Sequence, residues 1–324
     1  MSLDADAIVD RRRMRRKLTF WRVTAIVIVL LAVIGTGVAL VPGSRFLPTT
    51  AAIARIKISG LIRGNQDRVE ALDRLAKSRA VAVIIHIDSP GGTTAGSQQL
   101  FDALRELQAK KPTVVVVDGL AASGAYIAAI AADRIIAEDT SLVGSIGVLF
   151  QYPNFTDVMK TLGIKMEEVK SSPLKAAPNG FEPTSPEARA AIEAIVVDSY
   201  AWFKGLVKDR RGMDDAQLAR VADGRVFTGR QAVGLKLIDG LGNEKIALAW
   251  LESEKKVPAN TPVRDFSLEP RFSELSFLHV AALAFHAAGL SAVAQRIEEW
   301  GGAQAFERLN LDGLLALWHP PASN

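Results

Sequence analysis

The chain has 324 residues, 49% of them hydrophobic, enough for one large domain or two small ones around a sizeable core. It contains no cysteine, which excludes a disulfide framework, thiolate chemistry and a cysteine zinc site. The 39 Lys and Arg outnumber the 35 Asp and Glu, yet outside residues 1–41 the two counts are equal at 32, so the basic excess reads as a local membrane signal and not a nucleic-acid footprint.

Residues 1–22 form a basic N-terminus, with Arg11, Arg12, Arg13, Arg15, Arg16 and Lys17 just ahead of an uncharged run at 23–41. As a helix that run would be about 28 Å long, matching the hydrocarbon core of a bilayer. The positive-inside rule puts the N-terminus in the cytoplasm and the body of the chain on the far side. The alternative is a cleaved signal peptide, but the small-x-small site Gly37-Val38-Ala39 lies inside the apolar run. The expectation is one uncleaved transmembrane helix over 23–41, then a linker over 42–50 carrying Pro42, Gly43 and Pro48.

A half-buried strand is predicted over 53–58, where Arg55 and Lys57 alternate with apolar residues. Val69, Leu72 and Leu75 predict a helix over 66–79. A β-rich run over 81–87 leads into Asp88-Ser89-Pro90-Gly91-Gly92, and a helix is predicted over 94–107. A buried strand over 113–117 precedes Ala121-Ala122-Ser123-Gly124-Ala125-Tyr126, itself followed by small apolar residues to 132. Residues 134–137 are strand-like, and 145–149 is a further apolar run. This βαβα alternation predicts an α/β fold with a parallel sheet and helices outside it. Residues 170–186 read as a loop, 186–208 as a long helix, 214–222 as a short one, and 224–242 as a glycine-punctuated segment with a short helix at 230–233. The body is placed at 51–254. The tail, 255–324, contains an apolar stretch over 277–294 with His279 and His286, predicted to be a packing or membrane-interface helix, with a second span as the alternative.

Two loops carry the candidate chemistry. Gly91 and Gly92 let a backbone approach closely and expose an N–H, as half of an oxyanion hole and a bed for an extended peptide would require. Their ordinary reading is a strand-end turn. Ser123 at a strand-to-helix turn has the position of a nucleophile, and its ordinary reading is a helix N-cap. A nucleophilic serine needs a base. Of the four histidines, His86 lies in the strand before Ser89 and reads as a packed strand-face residue, while His279, His286 and His319 lie in the tail. A lysine is the remaining option, since burial against apolar atoms lowers a lysine's pKa toward a basic form. Lys175, in Pro173-Leu174-Lys175-Ala176-Ala177, is the candidate; its ordinary reading is a surface loop residue.

The segments Asp88-Ser89-Pro90-Gly91-Gly92, Ala121 to Tyr126, Ala131-Ala132-Asp133-Arg134-Ile135-Ile136-Ala137, Val143-Gly144-Ser145-Ile146-Gly147-Val148 and Gly224-Arg225-Val226-Phe227-Thr228-Gly229-Arg230-Gln231-Ala232 occur in order. Together they resemble the bacterial signal peptide peptidases of the A type, over roughly residues 50–250. The resemblance implies a crotonase- or Clp-protease-like fold of repeated ββα units, anchored by one N-terminal helix in the bacterial inner membrane, with the catalytic domain outside the cytoplasm. It implies Ser123 as nucleophile and Lys175 as general base, acting through an acyl-enzyme. Backbone N–H groups of Gly92 and Gly124 would be oxyanion donors, and Ser145 would orient the lysine amine. No cofactor or metal is implied. The substrates would be cleaved signal peptides and other hydrophobic peptides. Short members assemble into homo-oligomeric rings in which serine and lysine come from neighbouring subunits; long members carry two copies of the domain, and one is visible here. Ala125 departs from the family, standing where a second glycine is common. A crotonase-fold acyl-CoA hydratase or isomerase would need a carboxylate pair near the glycine loops, and none is seen there. A non-catalytic membrane scaffold would have no use for Ser123 together with Lys175.

Overall fold

Two long neighbouring strands organise the molecule. β1 (Ala52–Ile62) and β2 (Ala80–Thr93) run parallel from Ala52 opposite Ala80 to Ile62 opposite Gly92, joined by helix α1 (Gln66–Lys77). The computed structural model describes Lys17, Phe20, Trp21, residues 51–268 and the backbone of 314–317. The chain divides into two units, Met1–Leu47 and Pro48–Asn324, and the account below concerns the second. The expected anchor at 23–41, the linker at 42–50 and the apolar stretch at 277–294 lie outside the described residues. Among the described residues no helix is long and apolar enough to cross a membrane.

After β2 the chain forms α2 (Thr94–Gln108), β3 (Thr113–Ala122), the short α3 (Gly124–Ala129), β4 (Arg134–Ala137), β5 (Leu142–Gly144) and β6 (Leu149–Phe150). Then come α4 (Thr156–Leu162), α5 (Pro186–Arg211), α6 (Asp215–Ala219), β7 (Val226–Thr228), α7 (Gly229–Gly234), β8 (Gly240–Leu241), α8 (Glu244–Ser253) and β9 (Val263–Asp265). A last strand, β10, spans Leu314–Leu317. The strands make one mostly parallel α/β sheet. Parallel pairs are β1 with β2 and β9, β2 with β3, β3 with β4 and β5, and β4 with β8. β5 meets β7 antiparallel, and β10 is antiparallel to both β2 and β6.

Both faces of the centre are covered, which is why Val114, Val115, Val116 and Val117 can be apolar without alternation. Val83, Ile85 and Ile87 of β2 pack with Leu72, Leu104 and Ile127 from α1, α2 and α3. The opposite face, Ile53, Ala82, Ile84 and Val116, packs under Ala247 and Leu251 of α8. α3 enters the first core because it is built of small residues: all six are buried, and the Tyr126 hydroxyl donates to Leu237 O at 2.8 Å.

The strand expected to stop near residue 87 runs on to Thr93. β1 continues beside it as far as Ile62, and bulges after Ile87 and after Ser59 let the paired strands bend around Pro90, which has no N–H to give. β3 likewise extends five residues past the expected end, to Ala122, because β5 takes over as its partner where β4 ends. The helices that were expected fall close to their predicted limits, whereas α4 and α8 were not expected. Asn65 caps α1 through Arg68 N, and Ser185 with Pro186 starts α5.

Candidate active site

The pairings of three adjacent strands stop close together. β2 pairs with β3 as far as Ser89 opposite Ala121, and β3 pairs with β5 as far as Ala122 opposite Gly144. The residues that follow are Pro90 to Gly92, Ser123 with Gly124, and Ser145. The sheet thus gathers four of the five predicted site residues: Gly92, Ser123, Gly124 and Ser145.

Ser123 is buried, 1% exposed, with φ 55° and ψ −118°. That is a sharp reversal between strand and helix, of the kind that presents a side chain at the top of a sheet. The turn is pinned at both ends: Ser123 N–H donates to Gly144 O at 2.7 Å, and Ser123 O accepts from Ile127 N–H at 3.0 Å. Its hydroxyl makes no capping bond and has no hydrogen-bond partner among the described residues. The N–H groups of Gly124 and Ala125 precede the first intrahelical bond, so the helix itself does not use them. Ser145 has the same left-handed character, φ 50°, is 7% exposed, and is fixed by Ser145 N–H donating to Arg225 O at 2.9 Å.

Gly92 is forced by close packing. A Cβ there would sit 1.8 Å from Ile62 O, so no other residue fits while β1 and β2 stay paired. Ser89 is a positioning residue that sequence reasoning passed over. It is fully buried; its Oγ donates to Gly60 O at 2.6 Å and accepts from Gly91 N–H at 3.1 Å, holding the bend before Gly92. The available signal was a serine two residues ahead of a glycine, a local side-chain turn. Thr93 closes the segment by capping α2 through Gly96 N–H at 3.1 Å.

Lys175 is not brought to Ser123 within this chain. It lies exposed in the stretch between α4 and α5, where its N–H donates to Ser172 O at 3.1 Å, and its amine has no partner among the described residues. Residues 151–185 form an arm held largely by its own contacts. Phe155 stacks on Phe181 with ring centroids 6.1 Å apart, Phe155 N–H donates to Gly180 O at 2.8 Å, and Lys170 pairs with Glu168 and Glu182 at 2.5 Å each. Both carboxylates raise the Lys170 pKa, Glu168 the more.

His86 does lie on a strand face, the α8 side, away from Ser123. Nδ1 lies 2.8 Å from Asp118 and Nε2 2.7 Å from Glu244, whose carboxylate also accepts two bonds from Arg55, at 2.6 and 2.8 Å. This chain ties α8 to β1, β2 and β3. Glu244 is held below the ordinary carboxylate range, first by the Arg55 hydrogen bond, against the opposing effect of burial.

Comparison with known proteins places the chain in a family. The model for Peptidase family S49 matches residues 105–258, and the model for Clp protease matches 63–142. A Synechocystis sp. protein named as a protease is 32% identical over 204 residues, covering 62% of this chain and 74% of that one. The chain belongs to peptidase family S49. Another relative, named as a protease of Methanocaldococcus jannaschii, is 35% identical over 62% of this chain and 65% of its own length. A protein named as a signal peptide peptidase of Enterococcus faecium is 29% identical over 61% of this chain and 58% of its own. The S49 match spans Ser123, Ser145 and Lys175, and the Clp protease match spans Gly92 and Ser123. As an S49 member the protein is a serine peptidase, which removes the acyl-CoA hydratase and scaffold readings.

Proposed function

We propose that this S49 peptidase hydrolyses hydrophobic peptides, cleaved signal peptides among them, through a serine–lysine dyad whose two halves come from neighbouring copies of the chain. The observation that carries the reading is Ser123: a buried serine in a strained strand-to-helix turn, its hydroxyl unpartnered, followed by the free amide of Gly124. In this reading Ser123 Oγ attacks the scissile carbonyl and gives its proton to Lys175 Nζ. The Gly92 and Gly124 N–H groups hold the oxyanion, and the protonated lysine passes its proton to the leaving amine. Water then hydrolyses the acyl-enzyme, and Ser145 orients the amine.

The arm supports the shared site. α4 buries none of its residues, and Val158 (57%), Leu162 (66%) and Leu174 (47%) are exposed close to Lys175 in sequence or on the same arm. An apolar surface of this kind is costly on a monomer and suits burial against a second copy. Such burial would also strip water from the lysine amine, which a lysine base requires. The named relative in E. faecium and the apolar character expected of released signal peptides support the substrate class. Residues 23–41 are proposed as a single inner-membrane anchor with the N-terminus in the cytoplasm, leaving the peptidase on the extracytoplasmic side where such peptides are released.

The test is hydrolysis of apolar peptides by the full chain in detergent. Ser123→Ala and Lys175→Ala should each lose essentially all activity while keeping the fold. Lys175→Arg should not restore it, because arginine keeps its proton. An active Lys175→Arg protein would remove lysine as the base, and an active Ser123→Ala protein would move the nucleophile elsewhere.

A further inference from the structure

A groove of about 170 Å³ opens between α1 and α2. Its floor is apolar: Leu72 and Ala76 of α1 and Ala103 and Leu107 of α2 are all buried there. Three carboxylates rim it, Asp73, Asp102 and Glu106. Asp73 is already engaged by Lys77 at 2.6 Å. Asp102 and Glu106 stand one turn apart on α2, both exposed, and neither makes a hydrogen bond or ion pair among the described residues. Like charges at this spacing oppose the helix that carries them. Burial pushes the Asp102 carboxyl above its ordinary value, and Glu106 adds to the effect. The groove thus sets an apolar hollow beside two uncompensated negative charges. A long cationic side chain answers both, its methylene stem on the floor and its charged head at the rim. The attraction is local, because the chain outside residues 1–41 has equal numbers of basic and acidic residues.

We propose that this groove is an exosite for the basic leading end of peptide substrates, holding a lysine or arginine at Asp102 and Glu106 while the apolar part of the peptide runs on to Ser123. The proposal rests on the peptidase reading and names how that site chooses among apolar peptides. α2 begins at Thr94, directly after the strand that carries Gly92, so the groove and the proposed oxyanion donor lie on one continuous stretch of chain. Asp102 lies about 12 Å along the helix axis from Thr94, at 1.5 Å of rise per residue. About four extended residues span that distance. A secretory signal peptide has the matching order, a positively charged segment first and then about 7–15 apolar residues. A substrate held this way is cut inside its apolar stretch, at least about four residues beyond its last basic residue.

The test uses the full chain in nonionic detergent and two peptides of one apolar sequence, one led by two lysines and one by two glutamines. The lysine-led peptide should show a KM lower by about fivefold at low salt with kcat unchanged, the size expected of exposed ion pairs, and the difference should shrink at high salt. Asp102→Asn combined with Glu106→Gln should raise the KM of the lysine-led peptide to that of the glutamine-led one, whose own kinetics stay as they were. Glu106→Lys should reverse the preference, so that a peptide led by two glutamates gains where the lysine-led one loses. A preference that survives in the doubly neutral variant, or no preference in the native chain, would overturn the exosite. An altered assembly mass in place of an altered KM would overturn it as well, by showing that the groove seats a second copy. If no version cleaves any peptide, the peptidase reading fails on its own. Fluorescence anisotropy of labelled peptides on the Ser123→Ala chain then decides the exosite separately: lysine-led binding should be about fivefold tighter than glutamine-led, and the doubly neutral substitution should abolish the difference.

Discussion

A non-glycine residue at φ 55°, ψ −118° carries about 1–3 kcal/mol of backbone strain, and Ser123 holds that conformation inside the core. The surrounding bonds to Gly144 O and Ile127 N–H keep it there. Replacement by glycine relieves the strain but adds about 0.4–1 kcal/mol of unfolded-state entropy relative to alanine. Strain relief is the larger effect. Ser123→Gly should therefore be more stable than Ser123→Ala by about 1 kcal/mol in urea denaturation, with both inactive. A Ser123→Gly protein less stable than Ser123→Ala by about 0.4–1 kcal/mol would show that the turn is not strained. Gly92→Ala goes the other way. The new Cβ would meet Ile62 O at 1.8 Å and Ile62 C at 2.5 Å, both backbone, so β1 or β2 must shift. The expected loss is about 1–3 kcal/mol of stability, together with roughly 100-fold of peptidase rate because the proposed oxyanion donor moves. A Gly92→Ala protein with native kcat would separate this amide from the chemistry. At this scale the placement of Ser123 at a strand-to-helix turn was legible, since a strand and small neighbours frame it in the sequence. The exposed setting of Lys175 was legible only as the ordinary surface-loop reading, because nothing adjacent to it in the chain says what its amine meets. Ser89 went unread because a hydroxyl's hydrogen bond across to Gly60 depends on two strands lying side by side.

Helix α8 covers the second face of the sheet through a polar clamp as well as through Ala247 and Leu251. Glu244, at its first turn, accepts from Arg55 on β1 and faces His86 on β2, and His86 in turn faces Asp118 just beyond the centre of β3. Arg55 also reaches Asp265 on β9 at 2.9 Å, and its own pKa is raised, chiefly by the bond to Glu244. The folded pKa of Glu244 is depressed. A depressed carboxylate contributes stability above its unfolded value of about 4.3 and loses it as pH falls through the lower folded value. Glu244→Gln should cost about 1 kcal/mol at neutral pH, a modest figure because the clamp is partly solvated. The gap in Tm between the two proteins should hold from about pH 7 to 5 and close below about pH 4. A gap unchanged at pH 3 would mean that the carboxylate charge is not what holds α8. Elements with a strong local period, such as α1, α2 and α5, were legible to within a few residues. The ends of β2 and β3 were not, because partner strands prolong them past Pro90 and Gly119, which taken alone read as breakers. β10 was invisible for the same reason carried further: its partners lie more than 150 residues away in the chain.

At the scale of the whole molecule, the exposed arm at 151–185 and the exposed Lys175 belong to one problem. If Lys175 is the base, one that makes no contact with Ser123 in its own chain can reach Ser123 of another copy, and the apolar residues around it supply a reason to dock. No sequence pattern reports this, since quaternary contact depends on which surfaces the fold leaves uncovered. Mixing variants tests it. Ser123→Ala subunits keep Lys175, and Lys175→Ala subunits keep Ser123. Each assembly alone has no complete dyad. If the dyad is split across a head-to-tail interface, a junction that takes Lys175 from one variant and Ser123 from the other is intact. Random co-assembly at equal amounts makes about one junction in four complete, so peptide hydrolysis should recover to roughly a quarter of the wild-type rate per subunit. Subunit exchange is followed separately, by mass or by fluorescence transfer between labelled chains. A dyad contained within one chain leaves every subunit of the mixture defective, however thoroughly the subunits exchange. Proven exchange with no recovered activity would therefore place Lys175 back beside its own Ser123, which would require the arm to fold inward across its own sheet edge.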